Sequence, residues 1–148
     1  MAAKAQAHTF SSDFLGRIAN ISLAPTPNHA LAPLYEAINN SIQAIEDKFG
    51  KDNLTSGRIE ITVLRPDYDD GKPTGFVVAD NGIGFNPTNL KSFLTSDSRY
   101  KVARGGKGVG RFLWLKVFSA AHVESVYEAD NEEIRRLEFD FLPADREQ

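Results

Sequence analysis

Val77-Val78-Ala79-Asp80-Asn81-Gly82-Ile83-Gly84 is the stretch from which the rest of the chain is read. An apolar run that begins at Gly75-Phe76 delivers a carboxylate to its end, and two glycines then allow the backbone to approach something closely. Asn-Gly is also an ordinary turn signal, so the residues alone leave open a plain turn and a binding loop. Working backwards, Arg58 to Leu64 alternates, with Ile59, Ile61 and Val63 on one face, and Pro66 to Pro73 has hairpin-loop chemistry, so two strands meet here. Further back, Pro33 is a favoured first helical residue, and Leu34, Ile38, Ile42, Ile45 and Phe49 recur at helical spacing as far as Gly50. A shorter helix through Phe14, Leu15 and Ile18, capped by Ser12 or Asp13, precedes the break at Pro25-Thr26-Pro27.

Forward of the quoted stretch, residues 81 to 107 read as a long loop with one helical turn in it, around Leu90, Phe93 and Leu94. Val109 to Ser119 is mostly apolar and suits a buried helix, and His122 to Tyr127 and Arg136 to Leu142 read as strands. The order of helix, two strands, long loop, helix and two strands predicts an α+β fold, with helices layered on one face of a mainly antiparallel sheet.

The 148 residues have length for one domain, and 41% hydrophobic with 25% charged residues is a globular composition. The absence of cysteine excludes disulfides, thiolate nucleophiles and cysteine-ligated metals. A net charge of −3 gives no sign of a protein built to coat nucleic acid or an anionic membrane. The charge is unevenly placed, however. Arg99, Lys101, Arg104, Lys107, Arg111 and Lys116 face only Asp97 between Ser96 and Lys116, which points to a local anion rather than a long polyanion. No window approaches the roughly 18 apolar residues of a membrane span, and the first residues lack the apolar run of a secretory signal, so the expectation is a cytoplasmic protein without a membrane anchor.

Two further motifs bear on function. Glu36, Asn40 and Gln43 stand at i, i+4 and i+7 and share one helix face. Such a face can simply be solvated, although Asn39-Asn40-Ser41 places three poor helix formers in mid-helix, a propensity cost that an exposed structural face does not require. Gly105-Gly106-Lys107-Gly108-Val109-Gly110-Arg111 runs into the second main helix, where exposed N–H groups and a positive dipole end suit a phosphate. A flexible glycine hinge is the alternative. Gly108 follows Lys107 where a Walker A loop needs Ser or Thr, and Leu113 stands at the third glycine of a dinucleotide fingerprint, so neither motif applies.

In this order and spacing, Glu36-Ala37-Ile38-Asn39-Asn40-Ser41, Asp80-Asn81-Gly82-Ile83-Gly84 and Gly106-Lys107-Gly108-Val109-Gly110 resemble the GHKL ATPases: DNA gyrase B, the ninety-kilodalton heat-shock chaperones, histidine kinases and MutL. The resemblance spans about Pro33 to Ser119. It implies a Bergerat-type two-layer sandwich, with helices on one face of a mixed, mostly antiparallel sheet and a mobile ATP lid at about residues 85–107. It also implies ATP and Mg²⁺ as ligands. Asn40 is then the metal ligand, and Glu36, one turn earlier, is the catalytic base that activates the water attacking the γ-phosphate. Asp80 reads the amino group of adenine, where guanine would oppose acceptor to acceptor. Gly82 belongs to the same box and Gly84 gives the ring room. Gly106, Lys107, Gly108, Val109 and Gly110 cradle and neutralise the phosphates, with Arg99, Lys101 and Arg104 of the lid as further candidates.

Glu36 four residues before Asn40, followed by Ser41-Ile42-Gln43, is similar to the gyrase, chaperone and MutL side and favours hydrolysis over phosphotransfer. Gln43 stands where those relatives often carry an acid. The chain thus reads as a single ATP-binding module, the N-terminal part of a longer protein, that hydrolyses ATP slowly. Its nucleotide state, ATP or ADP, is coupled to lid closure and to homodimerisation or a downstream domain. Two other readings stay open: a histidine-kinase-like phosphotransferase domain, and a scaffold that keeps the fold for protein contacts without nucleotide.

Overall fold

The computed structural model describes residues 14–24, 26–67, 71–94 and 110–142. Helix α1 (Phe14–Ala19) and a single turn, α2 (Pro27–Ala30), lead into α3 (Ala32–Phe49), the longest element at 18 residues. Proline in the first turn starts α3 without wasting a donor, and Gly50, at a φ of 78°, ends it while its N–H donates to the Glu46 carbonyl. After a 3₁₀ segment (Lys51–Ser56), β1 (Ile59–Leu64) pairs antiparallel with β2 (Gly75–Asp80), Ile61 lying opposite Val78. Helices α4 (Pro87–Leu94) and α5 (Gly110–Val117) precede a second hairpin, β3 (Ala121–Glu128) with β4 (Ile134–Phe141). Helix α3 packs on both α5 and β2, and α1 packs on α5.

The core lies between α4, α5 and the inner face of the second hairpin. Phe93, Phe112, Leu115 and Phe141 are buried there, with Phe85, Trp114 and Phe139 packed around them. Phe93 is its centre: the rings of Phe85 and Phe141 lie 5.2 Å from it and those of Phe139 and Trp114 5.9 Å, spacings at which aromatic edges and faces attract. The alternation of β3 and β4 explains the rest. Val123, Ser125, Leu137 and Phe139 turn inward, while His122, Glu124, Glu138 and Asp140 turn out.

Two differences from the sequence reading concern the segment after the Gly84 box and the sheet. Residues 87–94 form two helical turns rather than one. Asn86 caps them, its Oδ1 accepting the Asn89 N–H at 2.9 Å, with Pro87 at the first helical position. The first part of the expected lid is therefore ordered around a core phenylalanine, and residues 95–107 of it lie outside the described residues. Among the described residues the four strands form two antiparallel hairpins, not one mixed sheet. The two halves are joined through a loop and a side chain, Phe85 N–H donating to Ser125 Oγ at 2.8 Å, where a continuous sheet would use a ladder of backbone bonds. The α+β class stands, with helices and antiparallel strands in one packed unit. No helix among the described residues is long and apolar enough to cross a membrane.

Candidate functional site

The polar face of α3 does not look into open solvent. It forms one wall of a cleft of about 1300 Å³ whose other walls are β2, the loop that follows it, and β3. Asn40, Asp80, Gly82 and Gly84 all line this cleft, as does Gln43. The strand end and the middle of the helix are brought together by one bond: Ser41 Oγ donates to Asp80 Oδ2 at 2.7 Å. Ser41 is buried, and this contact accounts for a poor helix former at mid-helix. The other carboxylate oxygen, Oδ1, accepts the Gly82 N–H at 2.8 Å. Asp80 thus has its orientation set from two sides while it remains exposed to the cleft.

The glycines of the loop are required by close approach. A Cβ at Gly82 would stand 2.6 Å from the backbone and side chain of Ala44 on α3, and the next residue, Ile83, donates its N–H to the Ala44 carbonyl at 3.0 Å. Gly84 has a φ of 75°, and the space a Cβ would take is filled by the Val126 carbonyl and Ser125 Oγ of β3. The loop is therefore clasped between helix and hairpin. Asn81, in the same box, is a structural pin. Its Oδ1 accepts the Arg58 N–H at 2.7 Å, its Nδ2 donates to the Ser56 carbonyl at 2.9 Å, and its own carbonyl accepts from Lys48 Nζ at 2.8 Å.

Immediately before Ser41, Asn40 Nδ2 donates to Glu36 Oε1, one turn back, at 3.4 Å. The carboxamide thereby presents its nitrogen to Glu36, and its oxygen is the branch this bond does not use. Gly110 opens α5 directly against the Glu36 carboxylate, and any side chain at 110 would overlap that carboxylate. The start of the second helix and the Glu36 side chain are thus in contact, and a larger residue at 110 would have to push the carboxylate aside. Trp114, one turn on, ties α5 to the start of α3 by donating from Nε1 to the Pro33 carbonyl at 3.1 Å.

Asn40, Asp80, Gly82 and Gly84 thus line one cleft, and Glu36, bonded to Asn40, meets Gly110 beside it. Gly106, Lys107, Gly108 and Val109, like Arg99, Lys101 and Arg104, lie outside the described residues. The sequence marks Ser41 only by its mid-helix propensity cost and its place in the first box, and nothing in the local pattern marks Ala44 or Ser125. The Asn40 carboxamide offers a neutral oxygen of the kind a hard divalent cation accepts beside water and phosphate oxygens.

No curated protein and no solved structure matches the chain. A family model described as histidine kinase-, DNA gyrase B-, and HSP90-like ATPase matches residues 26–148, which takes in α3, both hairpins and the whole cleft. An α+β unit with a carboxylate-tipped strand clasped to a polar helix face, and a helix that begins at Gly110 against the same helix, agrees with that match. The chain belongs to the histidine kinase-, DNA gyrase B-, and HSP90-like ATPase family and is an ATP-binding module of the GHKL type.

Proposed function

We propose that this domain binds Mg²⁺-ATP in the α3–β2 cleft and hydrolyses it slowly, with Asp80 reading the base and Glu36 serving as general base. The observation that supports the reading is the pair of bonds Asn40–Glu36 within α3 and Ser41–Asp80 from α3 to the end of β2, which bring two carboxylates to neighbouring positions along one helix. Asp80, held by Ser41 Oγ and Gly82 N–H, offers acceptor capacity to the exocyclic amine of adenine and would oppose the carbonyl of guanine. Asn40 would hold Mg²⁺ through its amide oxygen, and the ion when bound neutralises charge on the phosphate oxygens. Glu36 accepts the proton of the attacking water, and its contact with the start of α5 sets where that carboxylate can stand. Lys107 and the backbone of Gly106, Gly108, Val109 and Gly110 complete the phosphate side in this reading.

Positioning and charge neutralisation supply most of phosphoryl-transfer catalysis, so a module with a single base and one metal ligand is a slow hydrolase. Its nucleotide state would be coupled to closure of a lid at about residues 85–107 on a Bergerat-type sandwich, and to dimerisation or a downstream domain in the cytoplasm. Hydrolysis is favoured over phosphotransfer because Glu36 stands four residues before Asn40 and is bonded to it, where a hydrolytic base is expected.

Calorimetric titration with a non-hydrolysable ATP analogue, with and without Mg²⁺ and against a GTP analogue, tests the binding half. Magnesium-dependent binding of the adenine nucleotide alone, lost in Asp80→Ala, is expected; equal binding of both bases would overturn the role of Asp80. Glu36→Gln should retain binding and lose turnover, and normal turnover in that variant would remove Glu36 as the base.

A further inference from the structure

The face of the β3–β4 hairpin that carries His122, Glu124 and Arg136 borders the cleft across from α3, and none of these side chains is used in the nucleotide reading, yet the face gathers ligand-type side chains from both strands. His122 lies directly opposite Asp140 and Glu124 directly opposite Glu138 in the antiparallel register. Two glutamates facing each other across a strand pair repel, so this arrangement costs stability unless a cation joins it. Arg136 supplies part of that charge, with Nη2 2.8 Å from Glu124 Oε2 and 3.4 Å from Glu138 Oε2. It engages only the Oε2 atoms. The two Oε1 atoms turn the other way, each 3.5 Å from His122 Nε2.

We propose that His122, Glu124 and Glu138 form a divalent transition-metal site, with zinc the best fit, and that Asp140 is its positioning residue. The separations carry the argument. A direct N–H···O bond settles near 2.9 Å, whereas ligands about 2.0–2.2 Å from one tetrahedral ion stand roughly 3.3–3.6 Å apart, which is the Nε2–Oε1 spacing here. The nitrogen and both carboxylate oxygens all lie within 4.8 Å of one another. Asp140 Oδ1, 2.7 Å from Nδ1, supports the tautomer with the proton on Nδ1 and the lone pair on Nε2, as an orienting carboxylate behind a metal-bound imidazole does. One imidazole with two carboxylates selects a borderline ion over Mg²⁺, which takes oxygen ligands and holds its water. His122 is 52% exposed, so an ion can enter from solvent and the fourth position stays open to water or to a donor from another molecule.

The test is titration of chelator-stripped, nucleotide-free protein with Zn²⁺, and with Co²⁺ read by visible absorption. Binding of one ion per chain with a tetrahedral Co²⁺ spectrum is expected, unaffected by excess Mg²⁺. His122→Ala and the milder Glu124→Gln should lose it, and Asp140→Asn should weaken it roughly 10- to 100-fold. These positions are exposed, so unchanged far-UV circular dichroism separates loss of ligands from loss of fold. Arg136→Ala, which removes a competing cation, should bind as well as the wild type or better. Absence of stoichiometric binding, or binding that survives His122→Ala, would overturn the site and leave a plain ion-pair network. Because the experiment contains no nucleotide, its outcome is independent of the ATP-binding reading.

Discussion

Replacing Ser41 by alanine isolates the bond that joins helix to strand at the centre of the cleft. Ser41 is buried and its hydroxyl donates to Asp80 Oδ2 at 2.7 Å. A hydrogen bond to a charged group contributes about 1.5–3 kcal/mol. In the nucleotide-free protein Asp80 is exposed, so water replaces the lost donor and the fold should lose only about 1 kcal/mol. When adenine occupies the open side of the carboxylate that water is excluded, and the remaining ~0.5–2 kcal/mol falls on binding, roughly a 2- to 30-fold rise in Kd. The assay pairs urea unfolding with calorimetric titration of a non-hydrolysable ATP analogue. A stability cycle with Asp80→Ala supplies the control, because Ser41→Ala should cost little further once its acceptor is gone. An unchanged Kd, or strictly additive stability losses in the cycle, would refute the idea that Ser41 positions the base-reading carboxylate.

Three other outcomes follow from the geometry. Gly82→Ala places a methyl 2.6 Å from the backbone of Ala44, which cannot yield as a side-chain tip would, so an overpacking loss of about 1–3 kcal/mol should appear in urea unfolding together with weakened nucleotide binding. Phe93→Ala empties the centre of the aromatic cluster and should cost about 3–5 kcal/mol, whereas a truly mobile lid segment would tolerate it with little change in melting temperature. The hydrogen bond from His122 to Asp140, with Glu124 and Glu138 nearby, raises the His122 pKa above its ordinary 6.5, while Arg136 faces the same two glutamates. The folded state therefore binds that proton more tightly than the unfolded chain. Its contribution is complete below about pH 6.5 and is lost as pH rises through the folded-state value. In chelator-treated buffer the urea midpoint should fall across that window, and His122→Gln should flatten the fall; an identical profile in the variant would count against the linkage.

Much of the fold was legible because its signals are local. Pro33 and Gly50 bracket α3 within one residue of its observed ends, and alternation places β1, β3 and β4. Gly, Pro and Asn crowd the beginning of α4 and give it the local pattern of a loop with one turn, yet Asn86-Pro87 is a capping pair and Phe93 drives the second turn into the core. The polar face of α3 was ambiguous for a different reason. Periodicity reports that Glu36, Asn40 and Gln43 share a side, and is silent on what stands across from them.

The sequence alone determined the α+β class, the element order and the three boxes that mark an ATP-binding domain, because periodicity, capping and glycine spacing act over a few residues. Only the tertiary structure decided that Ser41 holds Asp80, that Gly110 meets the Glu36 carboxylate and that Gly84 is closed in by β3. It also decided that His122, Glu124, Glu138 and Asp140 meet on one face. These pairings join residues 14 to 74 positions apart, and their identity follows from strand register and helix packing, which no local pattern encodes.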